Sequence, residues 1–408
     1  MERTSLTVRQ AGRVAALLLP VAVAICFTAA PARAAVTCDA TVSAMVAGVT
    51  RAQLQPVVND LSGVLPTMVG GVPYTFSTNR MSNAHVPGSW NRPVDKAEQY
   101  IYERLSTYGL SSVTYQTFPG DGDPMSGPEG RNVIGQITGT TRPNEIVVIS
   151  AHLDNMNDAT WPKGRAPGAD DNASGCSAAL YMARTFAGHQ FARTIRFCFF
   201  DAEENAPWDA AVGNLYGSGY YAAQCKAAGQ NIVADINLDA LAFNPPKSRR
   251  SIIECHTRKG NADPGGDDAA IATMWSDCIT AYTITGFTQK KIANTGGSSK
   301  NFSYWTDNGA FWQWGGYGGE KGYHAVWIGE EEAVNYNLNW HTARDAVATF
   351  DWAQFVAVTR SAVALSAHEA GIIQSGAVMT GLSPATAWQP IDLMRAVRYR
   401  SWLRPPAW

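Results

Sequence analysis

Three short apolar segments of this chain are each followed directly by a histidine or an acidic residue, and stretches with helical periodicity separate them. The segments are Glu145 to Ala151 before His152, Thr194 to Phe200 before Asp201, and Ile232 to Leu238 before Asp239. Because apolar runs that alternate with helices are typical of parallel strands, we expect the three segments to lie in one sheet. Their carboxyl ends would then meet at one edge, where the sites of open α/β sheets form.

The same alternation continues along most of the chain and predicts an α/β fold with a mixed, mostly parallel central sheet flanked by helices. Strands are predicted at Ser112–Phe118, Arg131–Thr138, Glu145–Ala151, Thr194–Phe200, Ile232–Leu238, Ser251–His256 and His324–Ile328. Helices are predicted at Val42–Gln55, where Pro56 would end the helix, and at Val94–Tyr108, Ala173–Phe186, Leu215–Ala228, Asp267–Tyr282 and Asp351–His368. The segment Pro66–Pro93, rich in Gly, Pro, Ser and Asn, is interpreted as a loop.

The first residues resemble a secretion signal. Basic residues precede the apolar run Val14–Phe27, and Ala32-Arg33-Ala34 provides small residues for cleavage. We therefore expect residues 1–34 to be removed and the protein to be secreted, to the periplasm or the medium. Six cysteines would remain, and an even number in an oxidising compartment suggests disulfides, with Cys255 and Cys278 as the first pair to expect.

Composition limits the partners of this chain. The formal net charge is −2, and 46% of the residues are hydrophobic. A slightly acidic chain gives no support for nucleic-acid binding. After removal of the signal no segment suggests membrane attachment, and we expect a monomer. The remaining chain divides into an N-terminal helical and loop segment at 35–93, a main domain at 94–368 and a C-terminal tail at 369–408.

Further acidic and histidine residues add to the three that follow strands. The segment Gly168-Ala169-Asp170-Asp171-Asn172 precedes a helix, Glu203-Glu204 follow Asp201, and His341 precedes the last long helix. Neutral imidazole and carboxylate groups are the ligands of hydrolytic zinc sites, which keep one position open for water. The candidate ligands are His152, Asp171, Glu204, Asp239 and His341, with Glu203 beside them.

With these motifs, the chain resembles the secreted bacterial leucine aminopeptidases, which are zinc peptidases with two co-catalytic metals. The resemblance covers Val94 to His368. It implies that Asp171 bridges two zinc ions, that Glu204 and His341 complete one site, and that His152 and Asp239 complete the other.

The remaining acidic residues have different expected roles. Asp154 lies two residues after His152, where its carboxylate could accept the other ring N–H and fix the orientation of the ring. Glu203 is next to a ligand without being needed as one, so it is the expected general base. Asp170, Asn172 and Asp345 stay outside the ligand set.

The resemblance further implies peptide substrates with a free N-terminus. The same centre would also serve a carboxypeptidase or another amidohydrolase, and a non-catalytic binding protein could retain the fold. An intact ligand set together with Glu203 argues against the last alternative, because a binding protein needs no base. Two loops, Asn205–Asn214 and Phe311–Gly319, are candidates for a specificity pocket or lid, or else for packed surface loops.

Overall fold

The computed structural model describes residues 36–76, 80, 91–119, 128–158, 164–204, 215–245, 251–259, 263, 266–294, 306–314, 322–331 and 336–373. The expected secretion signal at 1–34, the loop Asn205–Asn214 and the tail beyond residue 373 lie outside these residues. Within the described part of the chain, no helix is long and apolar enough to cross a membrane.

The helices are α1 (Ala40–Gly48), α2 (Arg51–Leu61), α3 (Pro93–Ser106), α4 (Ala173–Phe186), α5 (Tyr216–Ala227), α6 (Asp267–Ala281), α7 (Asn308–Trp314) and α8 (Trp352–Ala370). The strands are β1 (Thr67–Val69), β2 (Val72–Tyr74), β3 (Ser112–Pro119), β4 (Pro128–Ile137), β5 (Arg142–His152), β6 (Gln190–Phe191), β7 (Arg193–Phe200), β8 (Asn231–Leu238), β9 (Ile252–Arg258), β10 (Thr288–Asn294), β11 (Ala325–Glu330) and β12 (Ile372–Ile373). A 3₁₀ turn at Val347–Thr349 precedes α8.

An eight-stranded sheet forms the centre of the structure, in the order β10-β9-β11-β8-β5-β7-β4-β3. Its middle strands β7, β5, β8 and β11 run parallel to one another. On one side β4 runs antiparallel to both β7 and β3, and on the other side β9 runs antiparallel to β11. The predicted mixed, mostly parallel sheet flanked by helices is thereby confirmed. The carboxyl ends of β7, β5 and β8 lie side by side, as the pattern of apolar segments predicts.

The two faces of this sheet are covered by different helices, because successive side chains of a strand point to opposite faces. On one face, Val147 and Ile149 of β5 join the large apolar cluster that includes residues of α1, α2, α4 and α8. On the other face, Val148 belongs to a smaller cluster with residues of α5 and α7. His152 lies an even number of residues after Val148 on β5, so its side chain is on the same face of the sheet. The predicted site therefore starts from the face that α5 and α7 cover.

The N-terminal helical segment differs from its prediction. Instead of one helix ending before Pro56, there are two helices, and Pro56 lies inside the second. Proline removes one helical hydrogen bond and usually ends a helix. Here α2 continues because Leu54, Val57, Val58 and Leu61 bury one face of it. The energy of that burial exceeds the cost of the proline.

Two segments interpreted as loops contain regular structure. The hairpin of β1 and β2 lies within Pro66–Pro93, and α7 includes the start of Phe311–Gly319. The Phe311 and Trp312 side chains are buried, and the Trp312 ring N–H donates to the Ala325 carbonyl. These two aromatic residues therefore belong to the core rather than to a mobile lid, and residues 315–319 of that loop lie outside the described chain.

All six cysteines in the described residues are free thiols, so the disulfide expected between Cys255 and Cys278 is not formed in this structure. Both side chains are buried in the large apolar cluster. Burial raises the pKa of each thiol, which disfavours the thiolate that disulfide formation requires.

Candidate metal centre

The predicted site residues follow neighbouring strands of the sheet. His152 is the last residue of β5, Glu203 and Glu204 follow β7, and Asp239 follows β8. Asp171 directly precedes the Asn172 cap of α4. His341 comes from the segment before α8. All six side chains are buried or nearly so, with at most 9% of any residue exposed.

Asp171 lies between the two histidines. Its Oδ1 is 3.1 Å from His152 Nε2, and its Oδ2 is 3.5 Å from His341 Nε2. On the outer sides, His152 Nε2 is 3.3 Å from Asp239 Oδ1 and His341 Nε2 is 2.5 Å from Glu204 Oε2. The structure thus brings all five predicted ligands into one row, in the order Asp239, His152, Asp171, His341, Glu204.

Each histidine has its second ring nitrogen next to another carboxylate. His152 Nδ1 is 3.5 Å from Asp154 Oδ1, and His341 Nδ1 is 3.3 Å from Asp158 Oδ1. A carboxylate at Nδ1 favours the tautomer with the proton on that nitrogen. Nε2 of each neutral ring would then direct a lone pair at the carboxylate oxygens that face it, and only a cation or a proton relieves that arrangement.

Asp154 also fixes the two glutamates. Its Oδ1 accepts the backbone N–H of Glu203 at 3.3 Å, and its Oδ2 accepts that of Glu204 at 3.1 Å. One fully buried carboxylate therefore contacts a histidine of the site and the backbone that carries two of its acids. The sequence predicts only the contact of Asp154 with His152, and the structure adds its contacts with the backbone of Glu203 and Glu204.

A second buried carboxylate supports Asp171 from behind. Asp345 accepts the backbone N–H groups of Asp170 and Asp171 at 3.1 to 3.2 Å. The Asn337 amide donates to both Asp170 and Asp345, and Asp170 accepts the backbone N–H of Ala242. Asp170 and Asp345 therefore hold the loop that carries Asp171.

The charges of the site are strongly perturbed. Burial, together with the nearby Asp171, raises the pKa of Glu204 to about 7. Burial also raises the pKa of Glu203 far above its usual range. For His341, burial alone would lower the pKa, but Glu204 and Asp171 outweigh it and raise the value to about 11. Buried carboxylates gathered around two histidines form a negative site that holds protons tightly when no other cation is present.

These residues fit a metal ion. Two groups of buried side chains, His152 with Asp171 and Glu204, and His152 with Glu203 and Asp239, each place three ligand atoms within 4.8 Å of one another. Glu204 Oε1 is buried with no hydrogen-bond partner among the described residues. Imidazole nitrogens and carboxylate oxygens are the donor set of hydrolytic zinc sites.

The sequence interpretation missed Asp307, a fully buried residue just before α7. Burial, with smaller contributions from Asp239 and Asp154, raises the pKa of Asp307 to about 7 against the opposing effect of His152. Asp307 thus adds a carboxyl group on the His152 side of the site. No strand pattern precedes it in the sequence, so nothing there distinguished it from a surface aspartate.

A third group, Asp263, Asp268 and His324, lies apart from this row. Arg258 donates to both oxygens of Asp268, at 2.6 and 2.9 Å, and His324 Nδ1 lies 3.2 Å from Asp268 Oδ1. Asp263 accepts backbone N–H groups at the start of α6. The guanidinium already supplies the cation that Asp268 needs, so this group is an ion-pair network.

Comparison with known proteins agrees with this arrangement. The sequence model of peptidase family M28 matches residues 132–366, more than half of the chain and the stretch that contains all five candidate ligands. A "Probable leucine aminopeptidase" of Trichophyton verrucosum is 27% identical over 229 residues, which are 54% of this chain and 51% of that protein. A "Probable zinc metalloprotease" of Pyricularia oryzae is 28% identical over 211 residues, 50% of this chain and 38% of the relative. The chain thus spans about half or less of these curated relatives.

Solved structures share the fold. LapB from Legionella pneumophila superimposes with a TM-score of 0.59 at 20% identity, covering 81% of this chain and 75% of that one. A glutaminyl cyclase of Macrostomum lignano gives a TM-score of 0.59 at 18% identity, covering 83% and 95%. At these identities the likeness concerns the fold alone. The family match over residues 132–366, which contain the buried row of histidines and carboxylates, shows that this chain belongs to peptidase family M28.

Proposed function

We propose that this chain is a secreted aminopeptidase that uses two zinc ions and a glutamate general base to remove N-terminal residues from peptides. The observation that carries the proposal is the position of Asp171, whose two oxygens face two different histidines. A carboxylate placed in this way can bridge two metal ions. In this assignment Glu204 and His341 complete one site, and His152 and Asp239 complete the other.

The charge of the site supports two ions rather than one. Four carboxylates, those of Asp171, Glu203, Glu204 and Asp239, surround two histidines in the protein interior. Charges buried at this depth are stable only when they are paired or bound to metal. When bound, zinc ions supply a Lewis acid for the scissile carbonyl and lower the pKa of water.

Glu203 is the proposed base because it lies beside the ligand row and the five proposed ligands suffice to bind the zinc ions without it. Its backbone N–H is fixed by Asp154. The carboxylate would take a proton from the attacking water at one oxygen and deliver it to the leaving amine. Glu203 also groups with His152 and Asp239, so a role as a ligand is the competing assignment.

Glu203→Gln separates these two roles, because the amide cannot take up the proton but keeps the shape of the side chain. We expect the variant to bind the same number of zinc ions as the wild type, measured by elemental analysis after dialysis, and to lose at least about 100-fold in kcat, as expected for a general base. Loss of one zinc ion would assign Glu203 as a ligand instead. Undiminished turnover with both ions bound would remove it from the mechanism.

Substrate class is tested on aminoacyl anilides and on peptides blocked at either end, with and without a chelator. A requirement for a free α-amine, abolished by the chelator, supports the aminopeptidase. Cleavage that instead requires a free carboxyl end would identify a carboxypeptidase, and chelator-resistant cleavage would contradict the zinc proposal.

Secretion rests on the sequence pattern of residues 1–34. Expression of the full chain in a secreting bacterial host, followed by N-terminal sequencing, tests it. We expect a product beginning just after Ala34, in the periplasm or the medium. An intact N-terminus on protein retained in the cytoplasm would contradict secretion.

A further inference from the structure

Arg80 is buried behind the metal centre, with only 1% of its surface exposed. Its guanidinium donates to four backbone carbonyls. Nη1 donates to Leu61 and, at 3.0 Å, to Pro167, Nε donates to Leu153 at 3.1 Å, and Nη2 donates to Gly168 at 3.4 Å. The planar guanidinium has donors pointing in several directions, so one side chain can join several backbone segments.

Three of these four carbonyls, those of Leu153, Pro167 and Gly168, belong to segments that carry proposed metal ligands. Leu153 directly follows His152, and Gly168 lies three residues before Asp171. The carbonyl of Gly168 also accepts the N–H of Ala173, the first residue of α4. Leu61 is the last residue of α2. Arg80 therefore links the end of α2 to two backbone segments, the one that follows His152 and the one that precedes Asp171.

Asn155 strengthens the same connection. It accepts the backbone N–H of Arg80 at 2.6 Å and donates to the carbonyl of Ala166 at 2.8 Å. Gly168 has a φ of +51°, and a Cβ built there would lie 2.3 Å from Asn155 Nδ2. The close approach of these residues leaves the two ligand-bearing segments little freedom to move apart.

We propose that Arg80 is a positioning residue of the metal centre, and that the N-terminal segment which supplies it is part of the metal-binding unit. Arg80 lies outside the family match, which begins at residue 132. The matched region would then be insufficient to hold the metal ions with full affinity. This inference rests on the proposed zinc site.

Two effects of Arg80 on metal affinity have opposite signs, which makes the inference testable. Its positive charge, in the same interior as Asp154, Asp171 and Asp345, repels a metal cation. Its hydrogen bonds hold His152 and Asp171 in place, which favours metal binding. If the charge dominates, a neutral residue at position 80 binds zinc more tightly. If positioning dominates, even lysine, which keeps the charge, weakens binding.

The experiment measures zinc affinity of the full chain by competition with a chromophoric chelator, for Arg80→Lys and Arg80→Met. Arg360→Lys and Arg360→Met are matched controls, because Arg360 also contacts the N-terminal segment through a carbonyl, that of Val49, at 3.0 Å. The structure shows no hydrogen bond from Arg360 to either ligand-bearing segment within the described residues. The visible spectrum of the cobalt-loaded protein reports ligand geometry independently of activity.

We expect both Arg80 variants to lose roughly 10- to 100-fold in zinc affinity, as for other residues that orient metal ligands, and to change the cobalt spectrum. The Arg360 variants should bind like the wild type. Unchanged or tighter zinc binding by Arg80→Met would overturn the inference, and so would an equal loss in the Arg360 variants.

Folding is checked by circular dichroism and thermal unfolding with chelator present. If Arg80→Lys does not fold, Asn155→Ala is the alternative variant, because it removes the contacts of Asn155 with Arg80 and Ala166. It should show the same loss of zinc affinity. Wild-type affinity in Asn155→Ala would overturn the inference. A wild-type protein that binds no zinc would instead contradict the proposed function itself.

Discussion

Replacement of Asp154 by asparagine tests how the metal centre is assembled. The side chain is fully buried and its two oxygens have three neighbours: the N–H groups of Glu203 and Glu204, and Nδ1 of His152. Asparagine keeps the shape but offers one oxygen and an NH₂ group. The variant therefore removes the negative charge. It also replaces one of the two backbone hydrogen bonds by a repulsive contact between two donors, the side-chain NH₂ and a backbone N–H.

The cost follows from those contacts. A hydrogen bond to a charged group contributes about 1.5–3 kcal/mol, and a buried donor left without a partner costs about 1–3 kcal/mol. The distances of 3.1 and 3.3 Å are long for charged acceptors, which places each contribution at the lower end. We expect a total of about 2–3 kcal/mol, or about 30- to 150-fold at roughly 1.4 kcal/mol per factor of ten.

This loss should appear in kcat/KM and in zinc affinity together, because the contacts position both the proposed base Glu203 and the proposed ligands His152 and Glu204. Asp158→Asn is the matched control. Asp158 stands at Nδ1 of the other histidine, His341, but 60% of its side chain is exposed, so its replacement should cost less than about 1 kcal/mol. The reasoning is wrong if Asp154→Asn stays within threefold of the wild type, or if both variants lose equally.

Three further outcomes are expected. Asp171→Ala should lose most of its bound zinc in elemental analysis, because it removes the proposed bridge, and two retained ions would exclude that role. In chelator, the thermal midpoint should fall as pH rises from about 6 towards 10. The raised pKa of His341, about 11 in the folded state, adds stability that is complete below its unfolded value near 6.5 and is lost as that proton leaves. A midpoint independent of pH over this range would contradict that proton's contribution. Gly175→Ala should lower stability by about 1–3 kcal/mol in chemical unfolding, because a Cβ there would lie 2.2 Å from the carbonyl of Leu238. Gly188→Ala, with nothing within 4 Å, is its control and should unfold like the wild type.

Much of the sheet and of the candidate site was predictable because both depend on local patterns. The apolar segments before His152, Glu203 and Asp239 became β5, β7 and β8, with errors of a few residues at their ends. Because these three strands are parallel neighbours, the residues that follow them lie together at one edge of the sheet. Even the contact of Asp154 with His152 follows from a spacing of two residues.

Residues that act across long sequence distances were not predictable in this way. Asp345 holds the backbone of Asp170 and Asp171 from 175 and 174 residues away. Arg80 reaches segments 73 and 88 residues further along the chain. A buried cation and a surface arginine look alike in a single sequence, because their difference lies in which carbonyls surround them. The helix break between α1 and α2 likewise depends on what each helix buries.

The sequence by itself determined the chemistry of this protein: the alternating pattern that builds the sheet, and the histidines and carboxylates that follow its strands. Such features depend on neighbours within a few residues, so they can be recognised without coordinates. Only the tertiary structure decided how those residues are held. It placed Asp171 between two histidines, joined Asp154 to the backbone of Glu204, set Asp345 behind the ligand row, and buried Arg80 against both ligand-bearing segments. The physical reason is that these contacts join side chains to groups far away in the chain, which only the packing of the whole domain brings close together.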